Sequence, residues 1–446
     1  MTQPGLSSAV EVQKGIDLFS MKSRHVLTHL LLLAGLGISL LVPQSLAAQD
    51  AWKSPDWLMT PAQTVEFGKR EYLKVKGNFR AATLSGEQAR QVRTIVHYYL
   101  SQLVHNSDSD MVKTVDKFFQ SEMSSLTSPA ARQVLMEEVA AKVPDLLNHP
   151  KDLVRYNALS MAVQLNVRPG RVVNLEEIPA VPFAPAHKML IPVIKDKDQQ
   201  MACRILAAKG LARICKDGDG TPSAPDRSDI AQAAVDTLNA IPPSKDDGIW
   251  WFRSKLIEVL GSVDRIDNIS TQPIVIEALL DVITNRNERP SNRALAAQSI
   301  TQLPFTSTTN VPLITDEIMK LLGEFSTAFL RTPTAAQGWH EPFVRLYLAF
   351  RPATTRQAKE LKWGLLYQVE RPGLSSHAAY VKGAWAVAFP ILRPFIEKGP
   401  TPPVPNDVKA LTEWLNKIEP ANRKVVPNGK EYSAKVAVVV KDAGGE

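Results

Sequence analysis

Between residues 86 and 420 apolar side chains recur every three or four positions, in blocks broken by polar turns and prolines. Positions three, four and seven apart share one face of a helix with 3.6 residues per turn, so the pattern predicts amphipathic helices joined by short connections. Four blocks can be laid over one another by an arginine: "DLVRYNALSMAVQL" (152–165), "MACRILAAKGLARI" (201–214), "WWFRSKLIEVLGSV" (250–263) and "PSNRALAAQSITQL" (290–303). Arg155, Arg204, Arg253 and Arg293 stand 49, 49 and 40 residues apart. Three positions on come Ala158, Ala207, Leu256 and Ala296; seven on, Ala162, Leu211, Leu260 and Ile300; ten on, Leu165, Ile214, Val263 and Leu303. One helical face is therefore repeated.

Another amphipathic stretch precedes each of these blocks: "ARQVLMEEVAAKVPDLL", "AHKMLIPVIKD", "DIAQAAVDTLNAIP" and "TQPIVIEALLDVIT". Two helices and a turn at a period of 40 to 50 residues form the unit of an α-solenoid. The repeat resembles the HEAT family, whose second helix opens with an aspartate, then a Val-Arg pair, then small and apolar residues. Asp198 with Arg204 and Asp247 with Arg253 match the six-residue spacing of that family, Val154-Arg155 its Val-Arg pair, and Leu260-Gly261 its Leu-Gly. Asp152 stands only three residues before Arg155, and Asn287 holds the position of the aspartate before Arg293. The resemblance implies an all-α fold, a right-handed α-solenoid of about seven helix-turn-helix repeats, with irregular extensions at both ends. It also implies a ladder of aspartate and arginine between repeats, in which the recurring arginines are structural donors.

The first residues follow a different pattern. In "MKSRHVLTHLLLLAGLGISLLVPQSLAAQD" (21–50), Lys22 and Arg24 precede an apolar run over 26–42, Pro43 ends it, and Ser45 and Ala47 are small. This is the layout of a secretory leader cut between Ala47 and Ala48, and it predicts export to a periplasmic or extracellular space. The alternative is an anchor that keeps residues 26–42 in a membrane. The organisation that follows is an upstream extension at 1–20, a leader at 21–47, an irregular strap or linker at 48–85, the helical array at 86–420 and a mobile tail at 421–446. Cys203 and Cys215 fall on one helix, about 18 Å apart along its axis, too far to pair.

Motifs that would carry chemistry are missing from the sequence. It contains no HExxH, no GxSxG, no nucleotide-binding glycine loop and no haem attachment site. Adjacent carboxylates such as Asp246-Asp247 point about 100° apart on a helix and are poorly placed to act together. His97, His105, His149, His187, His340 and His377 are scattered without metal-ligand spacing. The loop "KDGDGTPSAPD" (216–226) offers Asp217, Asp219 and Asp226, but it lacks the glycine and glutamate positions of a calcium loop. The expectation is a non-catalytic scaffold without cofactor or metal.

A net charge of +7 is a small difference between 52 basic and 45 acidic residues. If the second helices line a concave side, the positions one, two, five and nine after each arginine face a partner. Tyr156, Asn157, Lys209, Arg213, Lys255, Gln298 and Gln302 are the candidate partner surface. It is too sparsely basic for a phosphate-tracking groove, which argues against nucleic acid. The polar and aliphatic mixture predicts a protein or peptide partner. Trp250 and Trp251 leave a glycan as the alternative ligand, and an enzyme built on a HEAT-like scaffold is the alternative class.

Overall fold

The structure is a computed structural model that describes residues 52–433, apart from 174–175, 219, 333–335, 352–362 and 418–419. The described residues are mostly helical. The stretch read as a leader, with Ala47 and Ala48, and residues 434–446 lie outside them.

The chain enters as an extended strap, Trp52–Thr60, and then forms helices where the sequence reading expected irregular backbone. These are α1 (Pro61–Arg70), α2 (Tyr72–Lys76) and a 3-10 turn over Gly77–Arg80. The local cause is a capping box: Thr60 accepts from the Gln63 amide, Gln63 accepts from the Thr60 amide, and Pro61 opens the helix. Helices α3 (Gly86–His105) and α4 (Asp108–Lys117) follow, and α4 runs into a π-helical turn, Phe118–Met123.

The four predicted pairs are present as α5 (Pro129–Leu146) with α6 (Asp152–Val163), α7 (His187–Lys195) with α8 (Met201–Asp217), α9 (Ala224–Ala240) with α10 (Asp247–Ser262), and α11 (Ile274–Thr284) with α12 (Pro290–Ile300). Beyond them lie α13 (Val311–Arg331), α14 (Ala336–Phe350), the short α15 (Leu365–Gln368), α16 (Ala378–Glu397) and α17 (Pro405–Lys417). Helices α6, α8, α10, α12 and α14 pack each on the next, and α7, α9, α11 and α13 do the same. One apolar core runs without interruption from Phe67 to Tyr432. Close approach within the first row depends on small residues: a Cβ on Gly210 would come within 2.9 Å of Val163 and Leu190, and one on Gly261 within 2.7 Å of Ser299.

The helical periodicity did not reveal a β-hairpin between α6 and α7. Strand β1 (Asn166–Arg168) pairs antiparallel with β4 (Val181–Pro182), and β2 (Arg171–Val173) pairs with β3 (Glu176–Ile178), Arg171 opposite Ile178. Val172 is 70% exposed, so the hairpin projects from the helices. Its base is held by Arg213, which donates to Val163 O at 2.9 Å and to Asn166 Oδ1, and by Phe183 N on Leu165 O at 3.0 Å.

The stretch read as a mobile tail from residue 421 needs a correction in its first part. Asn310 Nδ2 donates to Asn422 O at 2.7 Å and to Lys424 O at 2.9 Å, Lys430 N donates to Glu277 Oε1 at 2.6 Å, and Tyr432 donates to Glu277 O at 3.2 Å. Residues 422–433 thus form a second strap, across α11 and α13, and its own Val425 and Val426 are buried.

Candidate functional site

The C-terminal end of a helix leaves four carbonyls without intrahelical donors, and burial makes each of them costly unless a side chain supplies a hydrogen bond. The repeated arginines meet this need. Arg204 Nη2 donates to Ile194 O at 2.9 Å, Arg253 Nη1 to Leu238 O at 2.8 Å and also to Ile241 O, and Arg293 Nε to Ile283 O at 2.8 Å. Each acceptor lies at the end of the preceding helix of the same pair. The remaining edge of each guanidinium reaches the next pair: Arg204 lies 4.6 Å from the Phe252 ring, Arg253 Nε 2.7 Å from Glu288, and Arg293 Nη1 2.8 Å from Glu324. Burial holds the Arg204 guanidinium below its usual range.

The aspartates of the expected ladder stand elsewhere. Asp247 pairs with Arg289 at 2.8 Å, and the exposed Asp198 donates its backbone amide to Asp196 Oδ1 at 3.0 Å. Glu288 and Glu324, reaching back from the next pair into the buried seam, stand beside Arg253 and Arg293, and the Phe252 ring stands beside Arg204, while Asp247, 86% exposed, lies on the rim. In the first pair Arg155 binds Asp152 on its own helix. Sequence reasoning also missed Arg132 and Arg227, at the fourth position of α5 and α9. Arg132 Nη2 donates to Met123 O at 2.8 Å and Leu126 O at 2.9 Å, and Arg227 Nη1 to Cys215 O at 3.0 Å. Their signal was legible, since "PAAR" and "APDR" each follow a capping serine, Ser128 and Ser223.

The candidate partner surface divides. Asn157 is buried and donates to Leu153 O at 2.7 Å, so it leaves the surface. Tyr156 is half-buried in the core, and Arg213 holds the hairpin base. Lys255 pairs with Glu258 at 2.6 Å, and Gln298 Oε1 accepts from Arg345 at 3.0 Å. Lys209 is exposed and Gln302 half-exposed. These positions flank neighbouring second helices, so side-by-side packing turns part of the expected face into an inter-helix seam. Trp250 belongs to the same seam: its indole N–H donates to Ser291 at 3.2 Å, beneath the Arg289 guanidinium.

Two grooves lie along the other row. A groove of about 600 Å³ opens between α5 and α7, and one of about 430 Å³ between α7 and α9. His187 and Asp226 line the smaller one. Ala184 O can only accept, so His187 Nδ1 carries a proton at 2.8 Å from it, and Nε2 faces Asp226 Oδ1 at 3.3 Å. Asp226 also closes the capping box of α9, where the Ser223 hydroxyl donates to it at 2.6 Å. The pair therefore has a structural use, and Asp219 of the same loop lies outside the described residues.

Three of the histidines meet the entering strap. Trp57 packs 5.3 Å from His97, His105 Nε2 lies 2.8 Å from Met59 O, and Trp52 packs edge-on to His149 at 4.5 Å. Both indoles end on Asp145: Trp57 donates to its Oδ2 at 2.7 Å and Trp52 to its carbonyl at 3.2 Å. His340 lies 3.1 Å from Phe395 O, and His377 ends a 3-10 turn.

One buried carboxylate stands apart. Glu122, on the π-helical turn and fully buried, accepts from Tyr99 at 2.8 Å and from Tyr72, with Lys76 Nζ at 3.4 Å. Burial raises both phenols well above the usual tyrosine range, so they remain neutral donors that tie α2 and α3 to the turn. Among the described residues no three His, Cys, Asp or Glu side chains could hold a metal ion together. Among them, too, no helix is long and apolar enough to cross a membrane.

Compared with known families, curated proteins and solved structures, the chain matches none.

Proposed function

We propose that this protein is an exported HEAT-like α-solenoid that binds a protein or peptide partner and performs no catalysis on it. The observation that carries the reading is the order of packing. Helices α6 to α14 form one row and α7 to α13 another, each helix meeting its successor, with Arg204, Arg253 and Arg293 at equivalent positions in the seams. In such an array each pair buries its apolar face only against its neighbours, and the outward residues are free to vary toward a partner. On the row of second helices, Lys209, Gln302 and the Lys255–Glu258 pair are the outward polar groups, chemistry suited to a protein surface.

The test places a photo-crosslinking residue at Lys209 or Gln302 and, as the control, at Leu73, which is 78% exposed at the N-terminal end. The same partner captured from Lys209 and Gln302 but not from Leu73 is the expected result. No capture from the row, or turnover of a small molecule lost on changing one acidic residue, overturns it. Export has its own test: the chain isolated from its own cells is expected to begin at Ala48 in an extracytoplasmic fraction. A chain that keeps Met1 or Met21 rejects leader removal.

A further inference from the structure

We propose that residues 423–432 are a displaceable occupant of an acidic cradle on α11 and α13, and that the cradle also takes an arginine- and lysine-bearing β-turn of a partner protein. The cradle lies on the row of first helices, whereas Lys209 and Gln302 lie on the second, so it stands or falls separately from the partner surface above.

Four carboxylates build the cradle. Glu277 and Asp281 stand one turn apart on α11, and Asp316 and Glu317 are neighbours on α13. Asp316 is fully buried, and Lys320, on the next turn, lies 2.9 Å from both it and Glu317. One lysine leaves an acidic excess, and buried carboxylates need further cations. The C-terminal strap supplies them. Arg423 reaches Asp316 at 3.2 Å and Glu317 at 2.7 Å, while Lys430 pairs with Asp281 and donates its amide to Glu277 Oε1 at 2.6 Å.

The strap is a small ribbon closed by a turn. Tyr432 N donates to Arg423 O at 2.9 Å, Lys424 bridges antiparallel to Glu431, and Gly429 N donates to Val426 O at 2.9 Å across Pro427 and Asn428. A Cβ on Gly429 would stand 2.7 Å from Glu277 Oε1, so the close approach of the turn to α11 requires glycine. Arg423 on one arm thus meets α13, and Lys430 beside the turn meets α11.

Two features mark this occupant as one that can leave. A two-stranded ribbon is marginal in water by itself, and apart from the buried Val425, Val426 and Tyr432 its hold is by ion pairs and hydrogen bonds, which water can replace. Its fit is also incomplete. Among the described residues, Asp316 Oδ1 and Arg423 Nε are buried without a hydrogen-bond partner, a cost to the docked state. Arg423 divides its fork, Nη1 to Asp316 and Nη2 to Glu317. A guanidinium that met both oxygens of Asp316 through Nε and one Nη would satisfy both kinds of orphaned atom in a bidentate pair, so an outside turn can bind better than the resident one.

The probe is a fluorescent peptide of residues 421–433 added to the full chain. The expected result is saturable binding, about ten-fold or more weaker when the peptide carries Arg423→Glu and Lys430→Glu. Binding is expected to tighten several-fold on a full chain with Arg423→Ala and Lys430→Ala, whose own ribbon is loosened. Amide hydrogen exchange reads departure in the unaltered chain. Asn310 N–H, which donates to Val425 O, and Tyr432 N–H are expected to exchange together, about 100-fold faster than amides inside α11 and α13. Exchange of Asn310 at the pace of the helix interiors makes the ribbon a permanent part of the core and overturns the proposal. Equal binding of the charge-reversed peptide, or binding of neither peptide, also overturns it. A dimer in native mass spectrometry that the peptide converts to monomer overturns it in favour of a second copy's ribbon as the outside occupant.

Discussion

Arg253 is 4% exposed and joins three elements: the end of α9 through Leu238 O and Ile241 O, its own helix α10, and the next pair through Glu288, itself 4% exposed. Removing one member of a buried pair leaves the other charged and desolvated, at a cost of about 3–5 kcal/mol. Arg253→Ala is therefore expected to lower unfolding stability by that amount in urea titration. Arg155→Ala is expected to cost about 1 kcal/mol or less, because Asp152 is 54% exposed and water screens the pair. Replacing Arg253 and Glu288 together by Met and Leu is expected to recover much of the loss; equal effects of the two arginines would refute the seam argument. His149 carries a prediction of the opposite kind. Burial, with Lys151 and Arg155 nearby, holds its imidazole below the usual value of 6.5. The neutral ring is then favoured in the folded state, so its contribution is complete above about pH 6.5 and is lost as pH falls through the unfolded value toward the depressed folded one. Trp52 packs edge-on to that ring, and indole fluorescence should report the loss in the native chain and not in His149→Gln.

At the scale of elements, periodicity located the helices because each buries one stripe against a neighbour and leaves the opposite face polar. It placed the start of α9 too late, at Asp229 within a stretch preceded by a loop, whereas the capping box of Ser223 and Asp226 opens the helix at Ala224. The hairpin escaped notice. Its strands span two or three residues, too few for a period of two to register, and Pro169-Gly170 reads as an ordinary turn. A two-stranded ribbon is marginally stable in water by itself, so this one depends on its base at Asn166 and Phe183. Replacing 167–181 by a short glycine-serine turn is expected to change stability by no more than about 1 kcal/mol, since the base contacts survive. A larger loss in denaturant titration would mean that the projecting strands brace the helices. Helix α1 was missed for a different reason: Thr60 and Gln63 form a legible capping box, but too few apolar positions follow to show a period.

At the scale of the whole molecule, two straps close the surface at its ends. Val425, Val426 and Tyr432 of the C-terminal one are buried, each contributing about 1.5–3 kcal/mol if fully removed from water. Arg423 adds contacts to Asp316 at 3.2 Å and Glu317 at 2.7 Å. Ending the chain before Asn422 is expected to lower the urea midpoint clearly, and part of the difference should vanish in 1 M salt, where the Debye length shrinks to about 3 Å. An unchanged midpoint would return residues 422–433 to the status of a tail. The sequence by itself determined the helical class, the places of the paired helices, the recurrence of Arg155, Arg204, Arg253 and Arg293, and the separation of Cys203 from Cys215. All of these rest on spacing within one segment, where 3.6 residues per turn converts order into geometry. Only the tertiary structure decided that Arg253 meets Glu288 and not Asp247, that Asn157 is buried, that a groove opens between α5 and α7, and that residues beyond 421 return to α11 and α13. Those outcomes join positions distant in the chain, and local periodicity carries no information on which distant surfaces pack together.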